Sequence, residues 1–212
     1  PGGNAVTVKG RPGVSVLFSG RYRSRAIMLG VFHVFQTVGY YGFGTLVPLV
    51  LAAKGFSIVT SLTFTTLTFI GYPIGSALSI PIVERVDRKW LIVGSAFLMS
   101  VLGIGMGYST SPVAIVSLGF LYTAVSNVFS NALHIFQVEI FPTSVRATAA
   151  GICYGLSRLS SAAMPFVLLP VLERWGAGPM FVVVAGALWI VMLDVALFAP
   201  RTTGRSLEEV NA

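Results

Sequence analysis

The chain has 212 residues, of which 55% are hydrophobic and only 10% charged, with a mean hydropathy of +0.84. Soluble domains carry about 25% charged residues, so composition excludes an ordinary water-soluble domain and marks a membrane protein. A net charge of +7 would suggest nucleic acid in a soluble domain. Here the bases stand at the ends of apolar segments, which assigns them to the membrane and leaves no nucleic-acid partner expected. The single cysteine, Cys153, excludes an internal disulfide framework and a Cys-based metal site. No metal or cofactor is expected.

In chain order, residues 1–25 are polar and end on Arg21, Arg23 and Arg25; they predict a cytoplasmic linker. No cleavable signal peptide opens the chain, and PGGNAVTVKG resembles a linker remnant more than a natural start. Six apolar segments follow, at 26–52, 59–83, 89–108, 112–138, 146–172 and 178–199. Each is near the roughly 20 residues that cross about 30 Å of hydrocarbon. The prediction is an all-α membrane bundle over 26–199, closed by a cytoplasmic tail at 200–212.

Six spans put both termini on one side. Placing them inside gives eleven cytoplasmic bases (Lys9, Arg11, Arg21, Arg23, Arg25, Arg85, Arg88, Lys89, Arg146, Arg201 and Arg205) against Lys54 and Arg174 outside. That asymmetry follows the positive-inside rule. The expected location is the plasma membrane, or the inner membrane of a bacterial cell, with both termini cytoplasmic.

The first span carries His33, Gln36 and Tyr40 on one helical face, with Tyr41 beside them. The fourth repeats the device with Asn127, Ser130, Asn131 and His134. Polar stripes in spanning helices face the bundle or a water-filled cavity. Their occurrence in spans one and four suggests two inverted three-helix repeats, the pattern of secondary transporters. Interhelical hydrogen bonding is the plainer reading for any one of these residues. The hydroxyl stripe of span two, Ser61, Thr65 and Thr68 with Tyr72, reads as close packing, since hydroxyls satisfy their own helix's carbonyls.

Two loops are distinctive. ERVDRKW holds Glu84, Arg85, Asp87, Arg88 and Lys89; EIFPTSVRA holds Glu139, Phe141, Pro142, Thr143, Arg146 and Ala147, with Gly151 following. Together they resemble the C-terminal half of a major facilitator superfamily transporter. The first is similar to its D-R-x-G-R-[RK] loop, with Glu84 for Asp and Asp87 where Gly is usual. The second is similar to its E-[LIF]-[FY]-P-T-x-x-R-A-x-x-x-G run. The tail, Pro200 and Gly204 to Glu209, resembles the P-E-T-K-G-R-S-L-E-E ending of sugar-porter-like members, with Arg201 and Thr203 departing from it.

The resemblance covers nearly all of Arg21 to Glu209 and implies helices seven to twelve of a twelve-helix transporter, with an N-terminal six-helix half as missing partner. It implies a cytoplasmic ion-pair network of Glu84, Arg85, Arg88, Glu139 and Arg146. Charged pairs there can hold one access state and break in the other.

Arg158 is the anomaly. Twelve residues beyond Arg146, it lies about 18 Å further along a helix, near mid-membrane, where an arginine costs at least about 2.5–3.5 kcal/mol. Within this chain only Asp194 offers a structural ion pair, and its depth differs by roughly 10 Å. An acid in the missing half is a second structural partner. The third reading is an anionic group on the substrate, since a guanidinium fork suits a carboxylate. By resemblance, members handling aromatic acids and nicotinate carry an arginine in helix eleven, whereas sugar-handling members have Asn-Trp nearby, absent here. The expected substrate is therefore a small organic, aromatic or other monocarboxylate, bound by Arg158 and Tyr154 with Gln36, Tyr40, Tyr41, Asn127 and Asn131. His33, His134 and Asp194 are the candidates for proton coupling.

The expected function is alternating-access secondary transport. A sugar or organic-cation transporter is the alternative within the superfamily; a non-transporting sensor or half-size dimerising protein is the alternative outside it. An enzyme is disfavoured, because H-E-x-x-H is absent and two histidines with few intramembrane acids make a poor catalytic set.

Overall fold

The computed structural model describes the backbone of residues 20–141 and 143–200, and their side chains except those of 20–22, 143 and 144. Most of the linker, the prolyl residue of the second loop, and tail residues 201–212 with their sugar-porter resemblance lie outside the described residues. The described helices are α1 (Gly20–Ala53), α2 (Ile58–Phe69), α3 (Gly71–Arg85), α4 (Arg88–Tyr108), α5 (Pro112–Glu139), α6 (Thr143–Trp175) and α7 (Ala177–Phe198). They form six apolar spans long enough to cross a membrane, α2 and α3 together making one of 28 residues. No strand occurs among the described residues, as expected where every backbone polar group must be satisfied within its own segment.

Two boundaries differ from the sequence reading. Helix α1 starts at Gly20, so Arg21, Arg23 and Arg25 ride its first turns instead of a linker. The second span is two helices that meet at Ile70, whose N–H bonds back to Leu67. Pro73 explains the break, because its ring removes a donor and crowds the carbonyl four residues back.

The helix ends are built from local chemistry. Ser57 caps α2 through Thr60 N–H, and Asp87 caps α4 by accepting from Lys89 N–H at 2.9 Å. Asp87, the departure from the resembled loop motif, is therefore an N-cap of a kind aspartate serves well. Pro112 opens α5, where a missing N–H costs nothing. Gly55 and Gly176 follow α1 and α6 with φ of +90° and +85°, a backbone that other residues rarely adopt. Lys54 donates to the carbonyls of Gly107 and Ser109, both at 2.7 Å, tying the end of α1 to the end of α4. Partial burial holds its ammonium below the usual lysine range.

Packing repeats with two-fold regularity. Helix α1 packs on α6 and α7, while α5 packs on α2/α3 and α4, and α4 packs on α7. Exchanging α1 with α5, α2/α3 with α6, and α4 with α7 maps these larger contacts onto one another, the pattern of two inverted three-helix repeats, while the smaller α1–α2 and α6–α7 contacts have no counterpart of like size. Antiparallel α1 and α5 are joined by aromatic stacks, Phe43 on Tyr122 at 4.0 Å and Phe32 on Phe129 at 5.5 Å. The Tyr122 hydroxyl donates to the Gly39 carbonyl at 2.7 Å.

Gly71 and Gly75 let α3 approach α5 closely. A Cβ on Gly75 would run into the carbonyl of Ala124, and one on Gly71 into Thr123 and the Phe120 carbonyl. Gly151 and Gly155 of α6, by contrast, have nothing within 4 Å of such an atom. Gly75→Ala should therefore lower the thermal stability of the detergent-solubilised chain by roughly 1–3 kcal/mol, the usual cost of overpacking. Gly151→Ala and Gly155→Ala should leave it unchanged or raise it. Equal melting temperatures for Gly75→Ala and the native chain would contradict this packing.

Candidate functional site

The polar residues of the spans divide into those that join helices and those that remain on an open face. Asn131 is of the first kind: its amide donates to Ser79 Oγ of α3 at 2.7 Å. The hydroxyl stripe of α2 turns inward on its own helix: Thr65 donates to the Ser61 carbonyl and Thr68 to the Thr65 carbonyl, while Thr123 of α5 joins the two helices through the Thr68 carbonyl. Ser160 of α6 likewise bonds the Val34 carbonyl of α1 at 2.6 Å.

The open face is shared by α1, α5 and α6. Tyr154 is 40% exposed, and Arg158, one turn on, is also exposed. The Arg158 guanidinium carbon lies 5.5 Å from the centre of the Tyr41 ring, within cation–π range. Among the described residues no carboxylate pairs with it. Tyr41 meets Tyr40 edge-on at 5.1 Å, and Tyr40 meets Tyr72 of α3 at 6.2 Å. The hydroxyls of Tyr40 and Tyr72 face Ser130 and Ser126 of α5. An aromatic wall thus runs from the arginine across α1 to α3.

On the other side of Tyr154 lie the two histidines. The His33 ring is 5.7 Å and the His134 ring 6.1 Å from the Tyr154 ring. His33 is buried, and its Nε2 stands 3.3 Å from Gln137 Oε1. With the amide oxygen turned toward it, His33 Nε2 is the donor of this bond. That leaves Nδ1 as a buried acceptor without a partner, and the Gln137 amide nitrogen is also unsatisfied. His134 Nδ1 donates instead to the Ser130 carbonyl of its own helix at 2.6 Å.

The structure therefore brings together Arg158, Tyr154, Tyr40, Tyr41, His33 and His134. Gln36 is buried on α1, and Asn127 is half-buried on α5. Asp194 is elsewhere: it lines a groove with Ile27 and Val31 of α1, away from the face on which His33 meets α5. Gln137 and Tyr72 belong to the site but were not among the expected binding residues. Gln137, three residues beyond His134, continues the α5 stripe by one turn, and that spacing was its signal.

At the end of the bundle where α4 begins and α5 ends, Arg88 Nε lies 3.3 Å from Glu139 Oε1. It is a contact of charges rather than an aligned hydrogen bond. Glu84 and Arg85 are exposed, and neither joins an ion pair among the described residues. Arg146 does not meet a carboxylate there either: its Nε and Nη2 donate to the Phe141 carbonyl at 3.3 and 3.2 Å. Buried Arg25 donates to the Ile140 carbonyl at 2.9 Å. The α5–α6 loop is thus clamped by two arginines and anchored to α4 by one ion pair. Arg25 had looked like a linker charge, and only the three-dimensional return of α5 to the start of α1 shows its place.

The model of the family described as sugar (and other) transporter matches residues 9–212. A putative metabolite transport protein of Bacillus subtilis, YyaJ, is 30% identical over 95% of the chain, covering 45% of its own length. The niacin transporter NiaP of Acinetobacter baylyi is 24% identical over 92% of the chain and 44% of its own length. Among solved structures, a peptide transporter, POT, in complex with alafosfalin shares the fold. Its TM-score is 0.71 at 12% identity, covering 85% of the chain and 39% of that structure. The chain spans less than half the length of these relatives. With six apolar helices in two inverted repeats and this match over nearly its whole length, the chain belongs to the sugar (and other) transporter family and forms a six-helix half of the major facilitator fold.

Proposed function

We propose that the chain is the C-terminal half of a secondary active transporter that works by alternating access, and that its open face binds a small organic monocarboxylate, aromatic in the favoured case. The observation that carries this reading is Arg158. It is near the middle of a 33-residue helix, exposed on a shared face, over a tyrosine ring and without a carboxylate among the described residues. A cation there needs a counter-charge, and an anionic ligand supplies one that arrives and leaves. Tyr154, Tyr41, Tyr40 and Tyr72 offer ring faces and edges for the ligand body, while Gln36 and Asn127 offer polar contacts. Asn131, committed to Ser79, is secondary. His33 and His134 flank Tyr154 and remain the candidates for a titrating group near the ligand.

The relative that transports niacin supports the carboxylate reading. A stretch of 72 residues that is 36% identical to a minor myo-inositol transporter of Bacillus subtilis favours the alternative, a polyol or sugar. In either case the second half of the cavity comes from a partner six-helix unit, and the clustered arginines favour a cytoplasmic location for both termini.

Uptake of radiolabelled nicotinate, benzoate, myo-inositol and an organic cation by the full-length protein separates these readings. Acid uptake should fall at least about tenfold in Arg158→Ala, the order of one lost charge-assisted hydrogen bond, with insertion unchanged. Arg158→Lys should recover part of it. Inositol uptake that survives Arg158→Ala intact would establish the alternative.

The Arg88–Glu139 pair and the two arginine clamps act in this scheme as a latch on one access state. Arg88→Glu should reduce transport roughly tenfold while leaving membrane insertion intact, and adding Glu139→Arg should restore at least part of the loss, as a double-mutant cycle detects. A double variant no better than the worse single one would remove the ion pair from the mechanism.

A further inference from the structure

Beyond Tyr41 the open face ends in a cluster of hydroxyls drawn from α1, α3 and α5. Tyr40 and Gly44 lie one turn apart on α1, Tyr72 stands on α3, and Ser126 and Ser130 lie one turn apart on α5. The Tyr40 and Tyr72 ring centres are 6.2 Å apart. Both residues are half-buried, and neither hydroxyl oxygen is enclosed without a partner. Gly44 leaves the space beside Tyr72 open: even a Cβ added there would stand 3.7 Å from the Tyr72 oxygen.

The two tyrosines differ in what their serine neighbours ask of them. Ser126 is buried and donates its one proton to the Thr123 carbonyl at 2.8 Å. Toward Tyr72, which faces it, Ser126 is therefore only an acceptor. The Tyr72 proton is drawn to Ser126, and lone pairs of the Tyr72 oxygen are left for another donor. At Tyr40 the roles reverse. His134 Nδ1 donates to the Ser130 carbonyl at 2.6 Å, so this nitrogen, 3.5 Å from Ser130 Oγ, takes no proton from that hydroxyl. Ser130 thus has a proton to offer Tyr40, which faces it, and Tyr40 keeps its own proton to donate elsewhere.

We propose that Tyr72 and Tyr40 together recognise a hydroxyl group on the substrate, the first as acceptor and the second as donor, so that the transported molecule is an aromatic acid bearing a ring hydroxyl. The inference rests on the carboxylate reading of Arg158 and assigns the other end of the same ligand. A hydroxyl both donates and accepts, and so engages both tyrosines. A pyridine nitrogen only accepts and engages Tyr40 alone, and an unsubstituted phenyl ring engages neither. A site that offers polar groups to one substituent discriminates against ligands that leave those groups unpaired. Ser126 does not touch the ligand; it is a positioning residue that fixes where the Tyr72 proton points.

Initial rates of uptake by the full-length protein are measured for benzoate, its monohydroxy isomers and nicotinate, and the KM values are compared within each variant. At least one hydroxy isomer should show a KM roughly tenfold below that of benzoate, the order of one or two neutral hydrogen bonds, with nicotinate between them. Tyr72→Phe, which removes only the oxygen, should bring that isomer and nicotinate within about twofold of each other. Ser126→Ala releases the Tyr72 proton into the site, so nicotinate should gain on the hydroxy isomer by about threefold. Uptake that falls equally for every acid in Ser126→Ala marks a merely structural serine and overturns the proton assignment. Benzoate taken up as well as every hydroxy isomer, all of them dependent on Arg158, overturns this inference and leaves the carboxylate reading standing. So does a hydroxy-acid preference that survives both Tyr72→Phe and Ser126→Ala. Acid uptake indifferent to Arg158→Ala removes the carboxylate reading and this inference with it.

Discussion

Tyr122 stacks on Phe43 and donates a hydrogen bond from its hydroxyl to the carbonyl of Gly39, and this contact fixes the register between α1 and α5. Phe32 on Phe129 and Arg25 against the Ile140 carbonyl follow in the reverse order along the two helices, as antiparallel neighbours must. Hydrocarbon supplies no hydrophobic drive for helices to associate, so packing and hydrogen bonds set their arrangement. Once α1 and α5 are in register, α6 and α2/α3 occupy equivalent places around them. Tyr154 then meets both histidines, and Tyr72 meets Tyr40.

The same constraint sorts the polar side chains. Serine and threonine have short hydroxyls that return to carbonyls of their own helix, so Thr37 and Thr65 are silent in recognition. Asn131 finds a hydroxyl on the neighbouring helix and is spent there. What remains open is a small set, an arginine with an aromatic neighbour and three tyrosines, beside a buried histidine–glutamine pair with unsatisfied nitrogens on both members. A membrane helix keeps such groups only where water or a ligand can reach them.

Much of this was legible in the residues. Hydropathy located six spans, the stripes on α1 and α5 foretold the repeat symmetry, and the depth of Arg158 marked it as unsatisfied. The break at Ile70 was less legible, because Pro73 within an apolar run signals either a kink or a new helix. Arg25 escaped for a different reason. It is defined by a carbonyl more than a hundred positions away, and no local pattern encodes such a return. Arg146 shows the opposite error: a motif named the residue correctly, but its partner is a loop carbonyl five positions back rather than an acid.

The placement of Arg158 and Tyr41 on different helices has a mechanical consequence. Helix α6 holds to α1 through few polar contacts, Ser160 to Val34 among them. Pro165 and Pro170 interrupt its hydrogen bonding toward the far end, and Gly151 and Gly155 face open space. It is thus the helix of this half with the least to resist tilting. A carboxylate between Arg158 and the tyrosines of α1 would draw α6 toward α1, so binding energy would act on the element freest to move. The loop that begins α6 is the one clamped by Arg25 and Arg146 and anchored through Glu139. On the transport reading, ligand and latch pull on two points of a single helix. A shift at mid-membrane then reaches the ion pair through a rigid rod, with no long chain of intervening side chains required.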